Sequence, residues 1–262
     1  MFNQAAAMKR AIVRSPARTL PAGLSQSALG VPNYEQALAQ HASYCAALER
    51  CGVELTYLAA TDAFPDSTFV EDTAVLTKRC AILTRPGAPS RLNEVSLIEP
   101  TLTASFTGIY RITEPGTLDG GDVCEAGNHY FIGISERTNE VGAEQLGRII
   151  GDLGASCSFI DIRDVAGLLH LKSGLAWLGG NRLVVTESLK TRAELAGFEL
   201  IQVATDEQYA ANCVRVNDRV LIASGYPKLA HTLGGFGYET ISLEMSEFQK
   251  LDGGLSCLSL RF

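Results

Sequence analysis

The chain has 262 residues, 46% of them apolar and 19% charged, with a net charge of −7 and a pI near 5.2. That length is enough for a sizeable core, and no basic stripe interleaved with aromatics is present, which excludes nucleic-acid binding. No apolar run approaches the roughly 20 residues needed to cross a bilayer, and the opening MFNQAAAMKRAIVRSP lacks the apolar stretch of an export signal, so a cytoplasmic protein is expected.

The chain opens with a strand-like run, KRAIVRSP (9–16). A helix is predicted over 34–52, with Leu38, Tyr44, Cys45 and Leu48 at helical spacing and Gly52 at its C-terminal end. VELTYL follows as a strand. The pair DTAVLT and KRCAILTRPG (78–87) then reads as a hairpin, and the weakly patterned segment 91–112 ends in SFTG and IYRIT. Next come DVCEA with GNHYFIGIS (127–135), a helical NEVGAEQLGRIIGDLG, and the strand ASCSFIDI. GLAWLG with GNRLVVTES (180–188) leads to LKTRAELAG, read as the helix of its unit, and FELIQV. CVRV with NDRVLIASG (217–225) leads to PKLAHTLGGFG and YETISL. The Asn-containing turns between paired runs suit hairpins, because Asn tolerates left-handed backbone.

Five copies of hairpin, helix and strand are therefore legible, with Gly at 52, 108, 154, 197 and 237 before each closing strand. Such units cannot bury their faces singly, but five can close into a ring around a pseudo-five-fold axis. The expected fold class is α/β, a five-bladed α/β propeller, with residues 1–262 as a single catalytic domain. A doubly wound parallel sheet is the alternative, but no Gly-rich phosphate loop follows a strand.

Seven cysteines (45, 51, 80, 124, 157, 213 and 257) without CxxC pairs or an export signal argue against both a disulfide framework and a zinc site. Four polar clusters carry potential chemistry. KLDGGLSCLSLRF (250–262) puts Cys257 after a Gly-Gly turn that lets a ligand approach the backbone. Taken singly, a cysteine is more often a buried hydrophobe than a nucleophile. GLLHLKSGLAWLG (167–179) carries His170, either a satisfied core histidine or a proton shuttle. TLDGGDVCEAGNHYFIGISERTNEVG (117–142) places Asp119 in a second LDGG, with Arg137 beyond it. FPDSTFVEDTAVLT (64–77) offers Asp66, Glu71 and Asp72 ahead of an apolar strand, so at least one carboxylate faces inward and needs a cationic partner. A planar guanidinium would suit it.

Taken together, FVEDTAVLT, LDGGDV with ISERTN, LHLKSGLA, YAANC and DGGLSCLSLRF resemble the dimethylarginine dimethylaminohydrolases, guanidine-modifying enzymes of the pentein fold. The resemblance runs through nearly the whole chain. It implies a hydrolase of linear amidines (EC 3.5.3 type) that converts asymmetric dimethylarginine or monomethylarginine to citrulline through a thiouronium on Cys257. It makes His170 the general acid/base and Asp119 the third catalytic residue. It assigns substrate binding to Leu24, Asp66, Glu71, Asp72, Arg91, Arg137, Leu251 and Asp252. No metal and no cofactor are implied. The only partner implied is a small cationic amino acid, and nothing in the sequence specifies or excludes a homodimer. The alternative enzyme is an arginine deiminase, which typically carries Asp two residues after its catalytic His. Here that position is Lys172, which favours methylated substrates. A non-catalytic arginine-binding protein is disfavoured because Cys257, His170 and Asp119 are all present.

Overall fold

The structure, a computed structural model, describes residues 7–262. It is a five-bladed α/β propeller, and each blade is a three-stranded sheet. The first blade joins both ends of the chain. Its middle strand β1 (Arg10–Arg14) runs parallel to β2 (Glu54–Leu58) and antiparallel to β15 (Ser259–Arg261). The other blades are continuous in sequence: β3 (Ala74–Leu76), β4 (Cys80–Leu83) and β5 (Gly108–Arg111); β6 (Val123–Ala126), β7 (His129–Ile134) and β8 (Ser156–Asp161); β9 (Leu175–Trp177), β10 (Arg182–Val185) and β11 (Glu199–Gln202); β12 (Val214–Val216), β13 (Arg219–Ala223) and β14 (Glu239–Leu243). In each, an antiparallel hairpin is followed by a parallel third strand.

The side-chain period of two explains the ring. Every middle strand is apolar on both faces, and successive residues enter different clusters. Ala11 and Val13 of β1 join one cluster while Ile12 joins another. Cys80 and Ile82 of β4 part from Ala81 and Leu83 in the same way. Tyr130 and Ile132 of β7 part from Phe131, Val184 of β10 parts from Leu183 and Val185, and Leu221 of β13 parts from Val220 and Ile222. The five clusters thus lie between neighbouring blades, and each blade is covered on both faces by the next. A lone three-stranded sheet is marginal in water, so each blade depends on its neighbours. Truncating fully buried Phe131 to Ala is expected to cost about 3–5 kcal/mol.

Four of the connections between middle and third strands hold helices: α1 (Tyr34–Arg50), α2 (Val95–Ser105), α3 (Glu140–Asp152) and α4 (Pro227–Gly235). A short α5 (Ser246–Gln249) follows the last blade. The Asn33 side chain accepts from Gln36 N at 3.0 Å and caps α1, and Gly52, just past its end, takes a φ of 81°. Two expectations need correction. LKTRAELAG forms no α-helix; the segment turns by bonds from Leu189 N to Thr186 O, Arg192 N to Leu189 O and Leu195 N to Arg192 O, leaving only a 3₁₀ turn over Ala193–Leu195. These i→i+3 bonds wind the segment more tightly than an α-helix. Gly108 does not precede the closing strand but is the first residue of β5; its backbone packs against Cys80, where a β-carbon would lie 3.1 Å from that side chain. The left-handed turn position falls on Asn217 in one hairpin, whereas Gly127 and Gly180 take it in two others.

No helix among the described residues is long and apolar enough to cross a membrane.

Candidate active site

The five inner strands, β3, β6, β9, β12 and β15, line the central channel, and each is entered through a short 3₁₀ turn. These turns are Val70–Thr73, Gly120–Asp122, Leu171–Ser173, Thr205–Ala211 and Ser256–Leu258. Neighbouring turns touch, and Asn212, at the end of Thr205–Ala211, accepts from the Ser256 amide at 2.9 Å to complete the circuit, so together they form a floor across the central channel. On one side of that floor lies a cavity of about 130 Å³. It is lined by Cys257, His170, Asp119, Asp66, Asp72, Arg91, Arg137, Leu24, Leu251 and Asp252. Residues from 24 to 257 therefore converge on one space.

The remaining residue expected there, Glu71, is placed differently. Its side chain passes beneath the floor, where its carboxylate meets Lys172 at 2.7 Å and Arg261 at 3.3 Å and accepts from the Ser256 hydroxyl at 2.7 Å. Lys172 likewise faces the far side, so it does not shape this pocket directly. The reason is alternation: in a tight turn adjacent side chains diverge. Asp72 and Cys257 face the cavity, while their neighbours Glu71 and Ser256 face away.

His170 Nε2 lies 2.9 Å from Asp119 Oδ2. The other Asp119 oxygen accepts from the Gly87 amide at 2.9 Å, and Asp119 is 1% exposed. Burial opposes charge on His170, but Asp72, Asp122 and Asp119 outweigh it and hold the imidazolium up to about pH 9. Gly121 makes this possible. A β-carbon there would lie 2.8 Å from the His170 ring and from Asp72 Oδ1. Asp72 itself stays ionised despite burial, through His170, the Arg91 guanidinium at 2.5 Å and the Gly121 amide at 3.0 Å.

Cys257 begins the last inner strand's approach, with the Gly254 amide donating to its sulfur at 3.4 Å. Burial, then Glu71 and Asp72, push the thiol up to about 12; the Gly254 amide and Lys172 pull the other way. Without a cation in the cavity the sulfur is therefore a thiol. Burial also raises the Asp66 carboxyl, against the pull of Arg91 and the Leu24 amide. An incoming cation would relieve both groups.

The two arginines differ. Arg91 is buried and fully committed: its donors reach Asp72, Glu94 and the carbonyls of Asp66 and Phe69. Arg137 is half-buried and has no ion pair among the described residues. It is the free cation at the rim. Above the cavity the loop around Leu24 is pinned by the acids it covers. The Leu24 amide donates to Asp66 at 3.0 Å, the Gln26 amide to Asp252 at 2.6 Å, and the Ser25 hydroxyl to the Lys250 carbonyl at 2.7 Å.

Sequence reasoning missed several contributors. Asp122 is fully buried and accepts from the Leu171 amide at 2.9 Å and from the Ser135 and Thr138 hydroxyls at 2.6 Å each. It fixes the turn that carries His170, and its signal was the second acid in LDGGD. Phe69, Leu169, Ser25, Gln26 and Gly253 also line the cavity; only Gly253, in the Gly-Gly turn, is marked by its local pattern. One oxygen or nitrogen each from Asp72, Asp119 and His170 lie within 4.8 Å of one another, a spacing open to a metal ion. Their lone pairs are already engaged with Arg91, two amides and each other, which suits a charge-paired cluster better than a metal centre.

No family model matches the chain. It is 45% identical over 255 residues to N(G),N(G)-dimethylarginine dimethylaminohydrolase of Pseudomonas aeruginosa, covering 97% of this chain and 99% of that one. The Streptomyces coelicolor protein of the same name is 34% identical over 254 residues, covering 97% and 96%. Among solved structures, a Cys-to-Ser mutant of the Pseudomonas aeruginosa enzyme complexed with citrulline matches with a TM-score of 0.95 at 43% identity, over 98% of this chain and all of that one. The N-terminal domain of ArgZ, an arginine dihydrolase from cyanobacteria, matches with a TM-score of 0.86 at 17% identity, over 98% of this chain and 97% of that one, and so shares the fold.

Proposed function

The chain belongs to the dimethylarginine dimethylaminohydrolase family, and on that premise we propose that its site-facing cavity hydrolyses Nω-methylated arginines to citrulline and a methylamine, with Cys257 as nucleophile. One observation carries this reading: a thiol, a charged imidazole and an excess of carboxylates share one cavity whose rim holds Arg137, an arginine without an ion pair among the described residues. The related enzyme's structure with citrulline supports the product.

The chemistry follows from the charges. A guanidinium is resonance-stabilised and a poor electrophile, so it must be held flat and its charge localised as the carbon becomes tetrahedral. Asp66 and Asp72 suit its nitrogens, and Phe69 and Leu169 offer apolar surface to the methyl groups. Arg137 takes the α-carboxylate. Arg91, already bound to Asp72 and Glu94, serves more to hold Asp72 than to grip the substrate. The Leu251 carbonyl and Asp252 take the α-amino group. Asp66 and Asp252 also hold the Leu24 loop, so the same acids link substrate binding to closure. Glu71 acts from beneath the floor, through Ser256, rather than by contact with the guanidinium.

The bound cation lowers the Cys257 pKa and yields thiolate. Sulfur attacks the guanidinium carbon. The bond from that carbon to the methylated nitrogen breaks as the His170 imidazolium gives it a proton. Dimethylamine or methylamine leaves, and an S-alkylthiouronium remains on Cys257. His170, now neutral, takes a proton from water, whose oxygen attacks the same carbon. The carbon–sulfur bond breaks, and citrulline and the thiol result. Asp119 holds His170 in orientation and stabilises its charge throughout.

This reading treats residues 1–262 as one catalytic domain, because the cavity takes side chains from Leu24 to Cys257. A reducing, cytoplasmic location suits seven free cysteines. The test is citrulline formation from asymmetric dimethylarginine. Cys257→Ser is expected to lose activity by at least about 10³-fold; near wild-type turnover by that variant would sink the assignment. A larger kcat/KM for arginine than for dimethylarginine would turn the reading into that of an arginine deiminase.

A further inference from the structure

The floor has a second side. Beneath it lies a larger cavity, of about 260 Å³, walled by residues of all five inner strands, among them Val75, Val123, Ala176, Val214 and Leu260. Its roof is the underside of the same turns: Glu71, Gly120, Lys172 and Ser256. Apart from Glu71 and Ser256 in the roof, the proposed chemistry uses none of the groups that line this space.

Its charge is lopsided. Among the described residues, Lys78, Lys172, Arg215 and Arg261 line it, against the side-chain carboxylates of Glu71 and Glu125; the α-carboxylate of Phe262, also in the wall, accepts from the Lys9 and Arg10 amides. Glu71 is already shared by Lys172, Arg261 and the Ser256 hydroxyl. Glu125 is half-buried, bonded to Tyr130 and within electrostatic reach of Lys78 and Lys172. Lys78 and Arg215 have no carboxylate within ion-pair distance among the described residues. Among the described residues Arg215 donates to the carbonyls of Asn217 and Leu178 and lies over the Tyr238 ring. The remaining wall is apolar, with Trp177 and Phe262 among its residues. Cations facing a low-dielectric concavity create a positive potential that an anion relieves. The apolar wall favours a ligand with a hydrophobic body, and the volume limits it to fragment size.

We infer that this far cavity is a second ligand site, for a small organic anion carrying one carboxylate on an apolar body, and that its occupant is coupled to Cys257 through the floor. The coupling is mechanical and electrostatic. A carboxylate near Lys172 and Arg261 competes with Glu71 for them. Glu71 accepts from Ser256, whose amide and hydroxyl are also held by Asn212 at 2.9 and 3.2 Å, and Cys257 is the next residue. Loosening Glu71 therefore disturbs the turn that presents the sulfur and leaves a less compensated negative charge near it.

The chain's single tryptophan, Trp177, lies in this cavity and reports on it directly. Benzoate is the probe, with benzyl alcohol as the same shape without charge and inorganic phosphate as charge without an apolar body. Benzoate is expected to change Trp177 fluorescence saturably, including when citrulline fills the site-facing cavity, with phosphate inert and benzyl alcohol much weaker. Lys78→Gln is expected to weaken benzoate about three- to five-fold, the effect of one partly screened charge, and Lys78→Arg to restore it. The kcat/KM of both variants, unchanged, shows that they fold. Absence of a saturable signal, equal binding of benzyl alcohol, displacement by citrulline, or wild-type affinity in Lys78→Gln would each overturn the site. Saturating benzoate is also expected to slow alkylation of Cys257 by iodoacetamide, read by peptide mass spectrometry, by about two-fold or more through a rise in the thiol pKa. An unchanged rate at full occupancy would overturn the coupling.

Discussion

The tetrapeptide Leu-Asp-Gly-Gly occurs twice, at 118–121 and 251–254, and folds to different ends. In the first, Asp119 is extended, with φ −100° and ψ 136°, and 1% exposed. Its carboxylate is fixed by His170 and the Gly87 amide. In the second, Asp252 is left-handed, with φ 57°, and half-exposed, and its carboxylate holds the Gln26 amide of the covering loop. The glycines differ as well. Gly120 and Gly121 admit the Glu71 backbone and the His170 ring, whereas Gly253 and Gly254 admit Phe69 and Asn212. One copy builds a rigid charge pair, and the other anchors a loop. Identical local sequence permits either; the surrounding blades choose.

The largest consequence of the difference is expected at the two aspartates. Asp119→Asn keeps the shape but removes the charge that orients His170, and kcat should fall about 10²–10⁴-fold, the range of general acid–base catalysis. A kcat within about ten-fold of wild type would mean that Asp119 is only a turn residue. Next, Gly121→Ala pushes a β-carbon into the His170 ring, while Gly253→Ala pushes one to 2.3 Å from Phe69. Both should lower stability by about 1–3 kcal/mol, as overpacking does, but only Gly121→Ala should also lose most of its kcat. Equal kcat losses in the two would erase the contrast between the copies. Asp252→Asn should have the smallest effect. Asn tolerates a positive φ and still accepts from Gln26, so KM should rise a few-fold with kcat nearly unchanged. A dominant kcat effect would make the second copy catalytic too.

The first copy also predicts a pH signature. Because the folded-state pKa of His170 is raised from 6.5 to about 9, its contribution to stability is fully present below pH 6.5 and is lost as pH rises through 9. Thermal unfolding should therefore lose stability over that window, and less so in Asp119→Asn. The rate should show the same group: kcat/KM falls above pH 9 as the acid for the departing amine deprotonates. A flat profile from pH 7 to about 10 would contradict a charged His170.

Much of this was legible from residues alone. The middle strands read as continuous apolar runs, such as AIV, AIL and LVV, because each is covered on both faces. Helix ends were marked by Gly52, Gly154 and Gly237, all left-handed in the structure. The polar clusters holding Cys257, His170, Asp119, Asp66 and Asp72 stood out because acids and a histidine interrupt apolar surroundings next to glycines. Glu71 and Lys172 could not be oriented in this way. Each is adjacent to, or two residues from, a residue that faces the cavity, and only the turn geometry decides which side of the floor it reaches. Asp122 was visible only as the second acid of LDGGD; its role was not, since its partners Ser135, Thr138 and Leu171 come from two other segments.

The sequence by itself determined the number of units, their internal order and the residue types available to the chemistry, because hydrophobic period and glycine placement are local properties. Only the tertiary structure decided how those units share their cores, how β15 closes the ring on β1, and which side of the floor each charge occupies. Those choices depend on contacts between residues as far apart as Glu71 and Ser256, which no local pattern encodes. They also separate the two copies of Leu-Asp-Gly-Gly. The turn chemistry is common to both, but His170 stands above one and the Gln26 loop above the other.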